Sequence, residues 1–141
     1  MARWRAEAIK RLPELRDVIA SADSVMTLWI ELQSAFERAY RAEPPDESLI
    51  GRIYSFADWC VQAPRGPAGH DPLGAVIVAF YEDIPAFKPA WDDMPRWFPY
   101  AEVADNRRVF AYQIGDEAYE ALVEHMKRNR HRYRPRPPAK P

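Results

Sequence analysis

Apolar side chains recur every three to four residues along most of the chain, a spacing that predicts helices rather than strands. The clearest stripe lies in residues 24–40 and holds Val25, Leu28, Trp29, Leu32, Phe36 and Tyr40. A second stripe follows Asp46 and holds Leu49, Ile50, Ile53, Tyr54, Ala57, Cys60 and Val61. Each stripe occupies one face of a helix, so we expect both helices to bury that face in a core.

Three shorter segments are also predicted to be helical. Residues 13–19 suit a short helix because Pro13 falls in a first turn, where its missing N–H costs no hydrogen bond. A further helix is predicted over residues 100–109. The last helix follows Gly115, and its apolar stripe consists of Tyr119, Leu122, Val123 and Met126.

Residues 75–81 form the one segment where periodicity does not decide the structure. The run is apolar on every side and rich in β-branched residues, which would suit a buried strand. Asp71 followed by Pro72 is instead typical of a helix start, with a cap and a first-turn proline. We favour a buried central helix over residues 73–83 and keep the strand as the alternative.

Residues 84–99 change the character of the chain, since they contain four prolines, two tryptophans and two phenylalanines. This composition predicts an ordered loop. Proline lowers the conformational entropy of the unfolded chain, and each aromatic ring can bury a large apolar surface. With the six helical segments, it predicts an all-α fold: a compact bundle of five or six helices with a proline- and aromatic-rich loop.

The charge of the chain is divided unevenly. Of the 20 basic residues, seven lie in residues 127–141, where there is no acidic residue, whereas all 21 acidic residues precede them. The body therefore carries a formal charge of −8 and the end a charge of +7. Four prolines after residue 134 disfavour helix. We predict a helical domain over residues 1–128 and a basic, proline-rich, disordered tail over residues 129–141.

Composition describes an ordinary globular protein, with 141 residues, 48% hydrophobic and 29% charged. The single cysteine, Cys60, cannot form an internal disulfide, which favours a reducing compartment. The longest apolar run is far shorter than the roughly 20 residues of a membrane span, and the charged start does not match a signal segment. We therefore expect a cytoplasmic protein with no membrane partner.

Several segments together resemble a known group of proteins. They are IYSFADW at 53–59, AVIVAFYED at 75–83, MPRW at 94–97 and the stretch 109–119. These segments are similar to a family of small bacterial all-helical domains of unknown function, over about residues 12–126. The resemblance implies a bacterial source and an all-helical fold, and it implies no reaction.

Residues that could carry chemistry are scattered. His70, His125 and His131 have no metal-ligand spacing, and no HExxH, CxxC or glycine-rich phosphate motif is present. Cys60 lies on an apolar stripe, where a small buried thiol is the ordinary interpretation. We therefore predict no catalytic, cofactor-binding or metal-binding residue.

Acidic neighbours offer one candidate polar site, composed of Glu82, Asp92 and Asp93. The pKa values of two adjacent carboxyls can be shifted apart, so that one carboxyl acts as an acid and the other as a base. Structural ion pairs perturb carboxyls in the same way, and Arg96 or Arg52 could supply them. The ion pair is the favoured interpretation, and Glu82 is the carboxyl that most needs a partner.

Tryptophans outside the helical stripes offer a candidate interaction surface. Trp59 lies off its stripe, and Trp91 and Trp97 flank Arg96 in the proline-rich segment. Large aromatic side chains near charge are typical of recognition surfaces. The alternative is that they only cover a small core. We predict that these four residues lie close together.

Three classes of function remain open. The first is a bacterial module that binds another protein, or a second copy of itself, in an interaction or regulatory role. The second is weak, non-specific nucleic-acid contact through the basic tail, which the acidic body opposes. The third is an enzyme with an unfamiliar carboxylate site. We rank them in that order.

Overall fold

The structure, a computed structural model, describes residues 1–136 and divides them into two compact units, residues 1–80 and residues 81–136. Within this part of the chain all regular structure is helical, which confirms the predicted all-α class, with nine α-helices in place of five or six. The first unit contains α1 (Arg3–Arg11), α2 (Arg16–Ser21), α3 (Val25–Arg41), α4 (Glu47–Gln62) and α5 (Pro72–Val76). The second contains α6 (Lys88–Trp97), α7 (Tyr100–Ala104), α8 (Arg107–Phe110) and α9 (Gly115–Arg128).

The two long helices of the first unit begin at side-chain caps. The Ser24 hydroxyl accepts the Thr27 N–H at 3.1 Å, and the Ser24 N–H donates to the Thr27 hydroxyl at 3.1 Å. At the start of α4 the Asp46 carboxylate accepts the Leu49 N–H at 3.1 Å. These contacts satisfy backbone donors that have no partner inside a helix.

Aromatic rings fill the core of the first unit. Phe80 lies 4.7 Å from Trp29, 4.9 Å from Phe36 and 5.5 Å from Tyr54, measured between ring centroids. All four side chains are buried. The stripes predicted on α3 and α4 therefore meet at Phe80, although Val61, predicted to share the apolar face, is 40% exposed.

Helix α1 is absent from the sequence prediction. Most residues of α1 are polar or charged, but one face of the helix is buried. This face consists of Trp4 and Ala8, and the buried Leu12 follows it at the end of the helix. The Arg5 guanidinium donates to the carbonyls of Ile19 at 2.6 Å, Ala20 at 3.1 Å and Ala22 at 2.9 Å. Arg5 thus supplies the donors that the carboxyl end of α2 lacks.

The chain is helical from Pro72 to Tyr81, which confirms the favoured helix up to residue 81 and shows that the strand is wrong. Helix α5 passes directly into a π-helical turn, Ile77–Tyr81, which accommodates one extra residue per turn. The predicted burial on nearly every side is not found, because Val78 is 52% exposed while Phe80 is buried.

The predicted loop over residues 84–99 is wrong, because most of it is helical. A 3₁₀ turn at Ile84–Ala86 precedes α6, and Pro89 lies in the first turn of α6, where proline is tolerated. Pro95 lies inside the helix and has no N–H to donate, and the helix ends two residues later. Ala90, Met94 and Trp97 share the buried face of α6.

The single helix predicted over residues 100–109 is also wrong, because two short helices occupy this stretch. The Asn106 amide donates to the Glu102 carbonyl at 2.6 Å and so satisfies the end of α7. The Tyr119 hydroxyl, from α9, lies 2.6 Å from the Val103 carbonyl and 2.9 Å from the Ala104 carbonyl. The Asn106 and Tyr119 side chains thus supply hydrogen-bond donors to carbonyls at the end of α7, where the helix is interrupted.

Candidate recognition surface on helix α6

Helix α6 carries a partly exposed tryptophan that is fixed in place by its neighbours. The Trp91 ring stacks on the His125 ring of α9, with centroids 4.1 Å apart and planes at 11°. The Lys88 ammonium lies 4.0 Å from the centre of the same indole. Stacking and a nearby cation restrain an aromatic side chain without burying it.

Lys88 and Asp92 lie one turn apart on the outer side of α6. The Lys88 ammonium binds the Asp92 carboxylate at 2.9 Å, and both side chains are more than half exposed. Such an exposed pair contributes only about 0.3–0.5 kcal/mol. The paired ammonium also lies 4.0 Å from the centre of the Trp91 ring.

The main-chain carbonyl of Asp92 links α6 to the end of the chain. It accepts the His125 Nε2–H at 3.0 Å and an Arg132 N–H at 3.1 Å. A carbonyl can only accept, so His125 must carry its proton on Nε2. The other ring nitrogen, Nδ1, can then accept from the Asn129 amide, 3.3 Å away. This network sets the orientation of the imidazole that stacks on Trp91.

Asp93 is occupied by structural contacts. One carboxylate oxygen accepts the Trp97 indole N–H at 3.1 Å, and the other lies 3.2 Å from the Arg132 guanidinium. Asp93 is half-buried, and hydrogen bonds to a charged carboxylate are stronger there than on an open surface. The ion-pair interpretation therefore fits Asp93, with Arg132 as its partner.

Residues 129–136 lie against α6, whereas composition predicts a disordered tail over residues 129–141. Arg130–Arg132 forms a 3₁₀ turn. The Arg134 N–H donates to the Arg96 carbonyl at 3.3 Å, and the Arg136 guanidinium donates to the Trp97 carbonyl at 2.8 Å. The described part of the predicted tail is thus attached to the second unit, and residues 137–141 lie outside the described residues.

The four residues of the predicted interaction surface fall on two helices. Trp91, Arg96 and Trp97 lie on α6, but Trp97 is only 8% exposed and covers the core. The Arg96 guanidinium lies 4.6 Å from the Trp97 ring centre. Trp59 belongs to α4 of the first unit and stacks on Phe56 with centroids 6.0 Å apart. Trp91 and Trp59 are both partly exposed, and they lie on different helices.

Glu82 stands apart from the two aspartates of the predicted polar site. Among residues 1–136 its carboxylate forms no hydrogen bond or ion pair. Burial raises the pKa of the Glu82 carboxyl above its ordinary value, and the charge of Asp83 acts in the same direction. No hydrogen bond joins Glu82 to Asp92 or Asp93 in the described chain, so the three carboxyls do not form a shared acid–base pair.

Cys60 is fully buried, as its place on the apolar stripe predicts. Burial raises the pKa of its thiol to about 12, while the Trp29 indole and the charge of Arg11 act in the opposite direction. Almost no thiolate exists at neutral pH, and the thiolate is the reactive form. Cys60 is therefore a packing residue.

The partners that build this surface are not evident from the sequence. A predicted loop over residues 84–99 and a predicted disordered tail over residues 129–141 give no link between Trp91 and Lys88, His125 or Arg132. The signal for Lys88 was present, since Lys88 and Asp92 have the spacing of neighbours on a helix. The approach of His125 and Arg132 is a tertiary contact with no sequence signal.

In residues 1–136 no three or more His, Cys, Asp or Glu side chains are grouped so that they could hold a metal ion. In the same range no helix has both the length and the apolar character needed to cross a bilayer.

Comparisons with known proteins make no assignment. No family model, curated protein or solved structure matches this chain. The resemblance to small bacterial helical domains, the bacterial source and the cytoplasmic location stay predictions.

Proposed function

We propose that this chain is a protein-interaction module whose contact surface is centred on Trp91. The observation that carries the proposal is the state of this side chain: a large aromatic residue, partly exposed, restrained by His125 at 4.1 Å and by Lys88 at 4.0 Å. Residues that dominate protein interfaces are enriched in tryptophan. A side chain fixed before binding loses less entropy when a partner covers it.

The surroundings of Trp91 support a protein as the partner. Lys88 and Asp92 supply a charge of each sign at its edge, and both remain exposed enough to contact a second chain. An aromatic centre with a polar, hydrated rim is the usual anatomy of a protein interface. The alternative of a carboxylate enzyme has less support, because both carboxylate oxygens of Asp93 are engaged in structural contacts.

The proposal predicts that Trp91→Ala weakens partner binding by about 30-fold or more, the effect expected of a residue worth about 2 kcal/mol. The partner is first identified by affinity capture with the full-length chain from its native cell, and the affinity of the purified pair is then measured by calorimetry. Lys88→Ala, which removes one rim charge and one of the two restraints on the Trp91 ring, should weaken the same complex by a smaller factor.

The matched control is Tyr112→Ala, which removes an aromatic side chain of the second unit that is 70% exposed. This variant should bind as the wild type does, and circular dichroism should show that all variants remain folded. Equal affinity of wild type and Trp91→Ala for every captured protein contradicts the proposal, as does the capture of none.

A further inference from the structure

A second surface of the second unit is strongly basic. Residues 127–136 contain six Lys or Arg and no acidic residue. Four of these cations are exposed, and we call them the basic surface: Lys127, Arg128, Arg130 and Arg134. The nearest acidic side chain that contacts them is Glu124, 3.9 Å from Arg128. At this distance the pair is a weak one, so the surface keeps its positive charge.

The other two cations hold the basic surface in place. Arg132 binds Asp93 at 3.2 Å, and Arg136 donates to the Trp97 carbonyl at 2.8 Å. Between them the Arg134 N–H donates to the Arg96 carbonyl at 3.3 Å. The exposed cations therefore project from a chain segment with a defined course, and less conformational entropy is lost when an anion binds.

The helix dipole of α9 can account for only two of the four exposed cations of the basic surface. Lys127 and Arg128 lie in the last turn of the helix, where positive charge favours the negative end of the helix dipole. Arg130 and Arg134 follow the helix, and that effect falls off within the last turn. The Arg134 guanidinium also donates to the carbonyls of His131 and Tyr133, which leaves further N–H groups free to bind.

We propose that the basic surface binds the phosphate backbone of nucleic acid without selecting a sequence. Arginine N–H groups match phosphate oxygens in geometry, and phosphate contacts carry no sequence information. The proposal goes beyond the protein-interaction function, because it uses other residues and another class of ligand.

The surface fits phosphate better than it fits an acidic protein. Protein interfaces require an apolar centre that is buried on binding. The large hydrophobic side chains that are exposed in residues 1–136 all lie outside residues 127–136. A nucleic-acid backbone provides a row of charges and requires no apolar anchor.

The test measures binding of the full-length chain to a fluorescently labelled 20-nucleotide single strand by anisotropy, at several salt concentrations. Four phosphate contacts on a single strand predict a slope of about −3 for log K against log[salt]. The affinity should then fall about 50-fold between 50 and 200 mM salt. Strands of different sequence should bind within a factor of about 3, since backbone contacts do not read bases.

The decisive variant is Arg130→Ala with Arg134→Ala. It should make the slope shallower by about 1.4, because about 0.7 is lost for each phosphate contact removed from a single strand. The matched control is Arg108→Ala, an exposed cation of α8, which should leave the slope unchanged. Trp91→Ala should also bind the strand normally, which separates this result from that of the proposed protein-interaction function.

Three results would overturn the inference. They are the same salt slope in the double variant and the wild type, no binding at 50 mM salt, and stronger binding to poly-glutamate than to the strand at equal charge. The last result would identify the surface as a site for an acidic protein. Circular dichroism should show an unchanged fold in both arginine variants, because all three replaced side chains are exposed.

Discussion

Replacing Phe80 with alanine is expected to lower the free energy of unfolding by about 3–5 kcal/mol, the usual cost of removing a buried phenyl ring. Phe80 is fully buried, and its ring contacts those of Trp29, Phe36 and Tyr54. Alanine would remove all of these contacts and leave a cavity that the surrounding rings can fill only in part. Denaturant titration followed by tryptophan fluorescence measures the change.

Val78→Ala is the matched control, since Val78 lies in the same π-helical turn and is 52% exposed. This variant should change the free energy of unfolding by no more than about 0.5 kcal/mol. A loss below about 1 kcal/mol in Phe80→Ala would show that Phe80 does not lie at the centre of the aromatic core.

Arg5→Ala is expected to lower the free energy of unfolding by about 2 kcal/mol, the largest effect on stability after that of Phe80→Ala. The Arg5 guanidinium donates to three carbonyls at the end of α2, and hydrogen bonds to charged groups each contribute about 1.5–3 kcal/mol. Its partial exposure lowers the total, because water can replace some of the lost donors. Arg5→Lys should recover only part of the loss, since an ammonium cannot copy the planar geometry of the guanidinium.

Arg3→Ala provides the control for Arg5, because Arg3 is an exposed cation on the same helix. Thermal unfolding of the three variants should order them as Arg3→Ala, Arg5→Lys and Arg5→Ala, from most to least stable. Equal stability of Arg3→Ala and Arg5→Ala would show that the contacts with the end of α2 contribute nothing.

Much of the helical fold could be predicted from the sequence, because the apolar stripes of α3, α4 and α9 are long and regular. Helix α6 is hard to predict because the four prolines of residues 84–99 are typical of a loop, although its apolar residues have a helical period. Ala90, Met94 and Trp97 repeat at helical spacing, and Pro89 falls where a helix tolerates it. Helix α1 was missed because its buried face is narrow and contains only one large residue, Trp4.

The candidate surface was predicted less well than the fold. Trp91 was identified from its place off the apolar stripes, but the same reasoning also selected Trp97, which the structure buries. His125 and Arg132 approach Asp92 only through the packing of distant segments, at 3.0 and 3.1 Å. Periodicity describes the faces of single helices and contains no information on which faces meet.

The attachment of residues 129–136 to α6 is the central claim, because it places Arg132 beside Asp93 and fixes the basic surface. Hydrogen exchange followed by NMR tests it most directly, at the Arg134 N–H that donates to the Arg96 carbonyl. This amide should exchange measurably more slowly than in the denatured chain, and Asp93→Asn should reduce its protection while leaving the amides of α9 unchanged. Exchange of Arg134 in the native protein at the rate of the denatured chain would contradict the account.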